Sequence, residues 1–286
     1  MDQRIIDLYD EYTHRPLDRR VFFRRLSALA GSTAAAQALL LTLENNYARA
    51  EIVAEGDPRV SSGVFEINDG KIKGYIAYPK GANPETAANL VIVVHENRGL
   101  NPHIKDITLR LAADGFFAMA PDFLLPLGGT PADEDKARDL FSGLKQDDVV
   151  AVIRTMIDGY KSRGGAMKIA AVGFCWGGGV VNSLATAAPN LDAAVVFYGV
   201  APTTENAAKI KAGLMLHHAG LDQRVNATLP AYEAALKTAA VPYQLFMYEG
   251  VNHAFNNDTA GERYNEAAAK LAWSRTVAFM KEKLVS

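Results

Sequence analysis

The chain has 286 residues, of which 49% are hydrophobic, a formal net charge of −2 and a single cysteine. This length and apolar content suit a packed globular core in one large domain or two small ones. The near-neutral charge gives no electrostatic case for a nucleic-acid partner, and one cysteine excludes an internal disulfide.

The first fifty residues differ from the rest. A polar start, "MDQRIIDLYDEYTHRPLD", leads into "RRVFFRR" (19–25) and a weakly apolar run from Leu26 to Leu43. Two readings compete for residues 1–57. Paired arginines, the apolar run and the Ala48/Ala50 spacing resemble a twin-arginine export signal, which would place the mature protein in the periplasm. Alternatively, Ile5, Ile6, Leu8, Tyr9 and Tyr12 share one helical face, and Phe22, Phe23, Leu26 and Leu29 another. That pattern predicts a helical arm that packs on the main domain or pairs two subunits, in a cytoplasmic protein. The arm is the favoured reading. The run is too short and too polar for stable membrane insertion.

From residue 58 to the end the pattern predicts one α/β domain. Two alternating runs flank Asn68-Asp69-Gly70, a hairpin signal. Six short apolar runs follow, at 89–96, 115–122, 168–174, 192–199, 213–220 and 243–250. Helical patterns separate them at 104–114, 133–143, 147–162, 177–187 and 230–239, and one closes the chain at 262–283. Such alternation predicts a mostly parallel sheet with helices on both faces, and a site at the carboxyl ends of its strands. Glu96, Asp122, Cys175, Asp222 and His253 fall at those ends.

The stretch Gly173-Phe174-Cys175-Trp176-Gly177 has the form G-x-nucleophile-x-G between a strand and a helix. This is the nucleophile elbow of the α/β-hydrolase fold, in which the flanking positions must be small. The helix N-terminus favours a thiolate at Cys175. Asp222 and His253 follow in the order the fold requires, His253 as the base and Asp222 as the group that orients it. No metal-ligand cluster accompanies them: His217 and His218 are adjacent, and His95 and His103 lack a cysteine or helical histidine partner, so no zinc site is expected.

With "VVHENRGLN" (93–101), "APDF" (120–123), "GFCWGGG" (173–179), "FYGV" (197–200), "AGLD" (219–222) and "NHAF" (252–255), residues 60–284 resemble the dienelactone hydrolase family. The resemblance implies an α/β-hydrolase that opens small carboxylate-bearing lactones or esters and needs no cofactor. It implies that Glu96 restrains the resting Cys175, and that the N–H groups of Trp176 and Asn97 form the oxyanion hole. It aligns Arg138 with an arginine that binds the substrate carboxylate. A second such arginine is replaced by Asn257, an aromatic by Ser142, and an apolar residue by Arg98, so substrate contacts are expected from Arg98, Arg138 and Asn257. A salt bridge from Glu96 to Arg98 or Arg138 is the plainer expectation for that carboxylate. Two further readings stay open: a broad esterase or organophosphate hydrolase on the same site, and a catalytically silent fold used for binding or assembly.

Overall fold

The computed structural model describes residues 1–47, 52–163 and 167–285. Ala48, Ala50 and Glu51, on which the signal-cleavage reading depends, lie outside them. Eight strands form one sheet: β1 (Val60–Ile67), β2 (Ile72–Pro79), β3 (Asn89–Val94), β4 (Ala118–Pro121), β5 (Lys168–Phe174), β6 (Ala193–Phe197), β7 (Gly213–Ala219) and β8 (Tyr243–Tyr248). Their spatial order is β1-β2-β4-β3-β5-β6-β7-β8. The β1–β2 and β2–β4 pairs are antiparallel and all others parallel. The β1–β2 hairpin turns at Asn68 and Asp69, both at positive φ, where short polar side chains tolerate the left-handed region.

Among the described residues ten α-helices accompany the sheet: α1 (Gln3–His14), α2 (Arg19–Ala30), α3 (Thr33–Leu43), α4 (Pro102–Ala113), α5 (Glu134–Leu140), α6 (Gln146–Lys161), α7 (Trp176–Ala187), α8 (Gln223–Asn226), α9 (Leu229–Thr238) and α10 (Glu266–Leu284). The central strands are buried on both sides. One core layer sets α6, α7 and α9 against the sheet, with Ile153, Ile157, Val181, Leu184 and Leu236 inside. The opposite layer uses Ile104, Ile107, Leu111, Phe279 and Met280 from α4 and α10. Covering both faces removes water from the strands, which is why they read as continuous apolar runs.

Helices α1–α3 form a smaller core of their own around Tyr9, Tyr12, Phe22, Leu26 and Leu43. Each has a side-chain cap: Asp2 accepts from Arg4 N–H, Asp18 from Arg20 and Val21, and Ser32 from Ala35. Polar contacts fasten this unit to the sheet domain. Tyr12 Oη donates to Asp135 at 3.2 Å, and Arg138 stacks on the Tyr12 ring at 4.3 Å. Asn97 Nδ2 donates to Thr13 O at 2.7 Å, and Arg224 pairs with Asp10 at 3.2 Å. Among the described residues no single helix is long and apolar enough to cross a membrane; α2 and α3 pass that test only as a pair, bent by 108°.

Candidate active site

Cys175 sits between β5 and α7 with φ 55° and ψ −116°. A positive φ on a residue with a Cβ costs of order 1–3 kcal/mol and holds the side chain out of the turn. The turn is affordable only with glycine on either side. A Cβ on Gly173 would lie 2.1 Å from Gly177 O, and one on Gly177 would lie 2.3 Å from Val94 O. The thiol therefore lies at the N-terminus of α7, where unpaired N–H groups favour a negative sulfur.

Asp222 follows β7 and divides its two oxygens. Oδ1 accepts from Val225 N–H at 3.1 Å and caps α8, while Oδ2 accepts from His253 Nδ1 at 2.5 Å. Burial would raise the Asp222 pKa, but His253 outweighs it and holds the carboxyl below its ordinary range. The carboxylate fixes the proton on Nδ1 and leaves Nε2 as the basic nitrogen. His253 Nε2 is buried and has no hydrogen-bond partner. Cys175, Asp222 and His253, chosen from the sequence, are thus brought to one end of the sheet.

The immediate partner of the thiol comes from elsewhere. His14, the last residue of α1, places Nε2 3.0 Å from Cys175 Sγ. Its ring meets that of His253 edge-on, with centroids 4.6 Å apart. His14 Nδ1 bonds to the main-chain O of Asp10 at 2.9 Å, and the Asp10 carboxylate lies beside it at 3.0 Å. Burial would lower the His14 pKa, but the nearby Cys175 and Asp10 charges prevail and raise it. Asp10 is buried too, and its surrounding cations, His14 first, hold it well below the usual carboxylate range.

Several expectations need correction. Glu96 pairs with neither Arg98 nor Arg138: Asn257 Nδ2 donates to Oε2 at 2.8 Å, and Tyr198 Oη to Oε1 at 3.4 Å. Its carboxylate is not the group bonded to the thiol; that place is taken by His14. Asn257 also accepts from Thr259, so both ends of its amide are used internally, not for substrate. Arg138 pairs with Asp135 and Asp139 and lies under Tyr12, engaged by the arm and away from the cavity. Ser142 bonds back to Asp139 O, and its neighbour Phe141 packs edge-on against Trp176 at 4.8 Å. Arg98 does line the cavity, 3.5 Å from Glu134.

The cavity at the sulfur has a volume of only about 20 Å³ and is lined by Tyr9, Thr13 and His14 of α1 facing Glu96, Arg98, Cys175, His253 and Arg263 among others. Arg263, unremarked in the sequence, is buried beside Tyr9, and both it and Arg98 keep one buried nitrogen without a partner. The one sequence signal for His14 was its spacing from Asp10, four residues apart on one helix face. Nothing local tied that pair to Cys175, 161 residues away.

A model of the Dienelactone hydrolase family matches residues 72–284. The chain is 34% identical over 256 residues to a "Putative carboxymethylenebutenolidase" of Saccharolobus solfataricus, spanning 76% of this chain and 97% of that one. It is 36% identical over 231 residues to "Protein usf" of Aquifex pyrophilus, spanning 77% and 97%. Among solved structures, a "Putative Dienelactone Hydrolase" of Klebsiella pneumoniae superposes with a TM-score of 0.69 at 27% identity, covering 78% of this chain and 99% of that one. A metagenomic dienelactone hydrolase-like phosphotriesterase shares the fold, with a TM-score of 0.66 at 23% identity over 79% of this chain and 99% of its own.

Proposed function

Because the chain belongs to the dienelactone hydrolase family, we propose that it hydrolyses small carboxylic esters or lactones through Cys175, His253 and Asp222. The observation that carries this reading is the Asp222–His253 pair, 2.5 Å apart, whose free Nε2 opens toward a cysteine on a strained elbow.

His253 Nε2 takes the thiol proton as Sγ attacks the carbonyl carbon, and the carbonyl electron pair moves to oxygen. The N–H groups of Trp176 and Asn97 receive that oxyanion, with the helix dipole of α7 behind the first. Collapse expels the alkoxide, which takes the proton from His253 and leaves a thioester on Cys175. Water, deprotonated by His253, attacks the thioester; the acid departs and the thiol regains its proton. Asp222 remains ionised throughout and stabilises the imidazolium. Glu96, fixed by Asn257 and Tyr198, lines the same cavity as the sulfur.

A cavity of about 20 Å³ holds roughly one water molecule and no ester. Substrate entry therefore requires α1 to lift, which also takes His14 off the sulfur. Arg98 and Arg263 then face the opened cleft with unpaired nitrogens, and they favour a substrate bearing a carboxylate near the scissile bond.

The test is a hydrolysis screen of lactones and p-nitrophenyl esters with the wild type and Cys175→Ala. Loss of the nucleophile should lower kcat/KM at least about a thousandfold while circular dichroism is unchanged. Retention of more than about a tenth of the activity overturns the assignment of Cys175.

A further inference from the structure

Three side chains from distant parts of the chain converge on one small space. Cys175 Sγ, His14 and His253 each direct one donor atom to it, all within 4.8 Å of one another. Each histidine has its Nδ1 engaged and turns Nε2 to the sulfur: His253 Nδ1 bonds to Asp222 Oδ2, and His14 Nδ1 to Asp10 O at 2.9 Å, with the Asp10 carboxylate 3.0 Å away. A thiol has one proton and can satisfy only one such nitrogen. His14 takes that contact, and His253 Nε2 is left buried without a partner; the His253 side chain is 5% exposed. A buried acceptor without a donor is costly, of order 1–3 kcal/mol.

We propose that His14, Cys175 and His253 form a binding site for one soft divalent cation, Zn2+ by the nature of its donors, which latches α1 over the nucleophile. One thiolate and two neutral imidazoles are the donor set zinc prefers, and an imidazole held by a carboxylate is its usual outer support. Tetrahedral coordination separates sulfur and nitrogen by about 3.5 Å; here His14 Nε2 and Sγ are 3.0 Å apart and all three donor atoms lie within 4.8 Å of one another, so side-chain shifts of about 1 Å bring them to coordination distances. The cavity, about 20 Å³, suits an ion or a single water and nothing larger. On binding, the cation forms bonds to Sγ and both Nε2 atoms, and the thiol proton leaves to solvent. Because His14 belongs to α1, the same bond that fills the site ties the helix down. Metal-bound protein is then closed to substrate.

The binding itself does not depend on the hydrolase reading above; the inhibition does, and the two are tested by separate measurements. Full-length protein stripped with EDTA is titrated with Co2+ as a spectroscopic probe and with Zn2+ against a chromophoric chelator. One equivalent of Co2+ should give a thiolate charge-transfer band that Zn2+ abolishes. Cys175→Ser should lose the band, His14→Ala should weaken Zn2+ binding at least about a hundredfold, and Asp10→Asn about ten- to a hundredfold. The Asp10→Asn variant keeps side-chain size, and circular dichroism checks the fold of all three. Zn2+ should also suppress ester hydrolysis reversibly in the wild type and far less in His14→Ala. Absence of the band, or Zn2+ binding in His14→Ala as tight as in the wild type, overturns the site: the cavity then holds water alone. A protein that binds Zn2+ but hydrolyses no ester refutes the hydrolase reading and leaves the metal site standing.

Discussion

Tyr12→Ala should open the active site without touching it. Tyr12 stacks on Phe22 at 4.2 Å, but that contact lies within the arm and survives undocking. Two contacts reach the sheet domain: the hydroxyl to Asp135 at 3.2 Å and the ring under Arg138 at 4.3 Å. The first, a hydrogen bond to a charged acceptor, is worth about 1.5 kcal/mol at the low end of its range. The second adds about 0.5 kcal/mol at a partly exposed site. Together the docked state loses about 2 kcal/mol, which raises the open population about thirtyfold. Cys175 is the only cysteine and is 6% exposed, so alkylation by iodoacetamide reports opening directly. The second-order rate in metal-free protein should rise about thirtyfold in Tyr12→Ala and about tenfold in Tyr12→Phe, which keeps the ring but loses the hydroxyl contact. An unchanged rate in Tyr12→Ala would refute the view that these contacts hold α1 over the thiol.

Other perturbations have equally definite outcomes. Gly177→Ala drives a Cβ to 2.3 Å from Val94 O and 2.5 Å from His95 O, both backbone atoms that cannot yield cheaply. It should lower stability by about 1–3 kcal/mol or more in urea unfolding. Arg263→Ala should reduce the preference for a carboxylated ester over its neutral analogue about tenfold in kcat/KM, as loss of one charge-assisted contact demands; an unaltered ratio excludes the arginine from substrate binding. Burial lowers the pKa of His218 from 6.5 to about 4 and that of His217 to about 3. Between about pH 6.5 and 4 the unfolded chain therefore binds more protons than the folded one at both sites. Stability is fully present above 6.5 and lost as the pH falls. Urea midpoints should drop across that window, and less so in His218→Asn.

Much of the fold is written locally. Strands β3 to β7 are buried on both faces, so their sequences are continuous apolar runs bounded by glycine, proline or charge. The elbow is legible because the glycines it needs, Gly173 and Gly177, stand two residues either side of Cys175 in the sequence, although the backbone that Gly177 must clear belongs to Val94 and His95. Asp222 and His253 are legible because the strand ends place them. His14 and Arg263 are not, since their roles depend on how α1 docks, and docking is decided by scattered contacts such as Arg224 to Asp10 and Asn97 to Thr13. The four-residue helix α8 is too short to leave a periodic trace.

The two oxygens of Asp222 have separate employers, one the first turn of α8 and the other the imidazole of His253. The acid is therefore clamped at its own end and cannot follow His253 if that loop shifts. Alignment of the pair becomes a property of the β7–α8 junction, fixed before any substrate arrives. Lengthening the side chain by one methylene would unseat the helix turn and the imidazole together, so a glutamate, chemically the same acid, is mechanically the wrong part for this position.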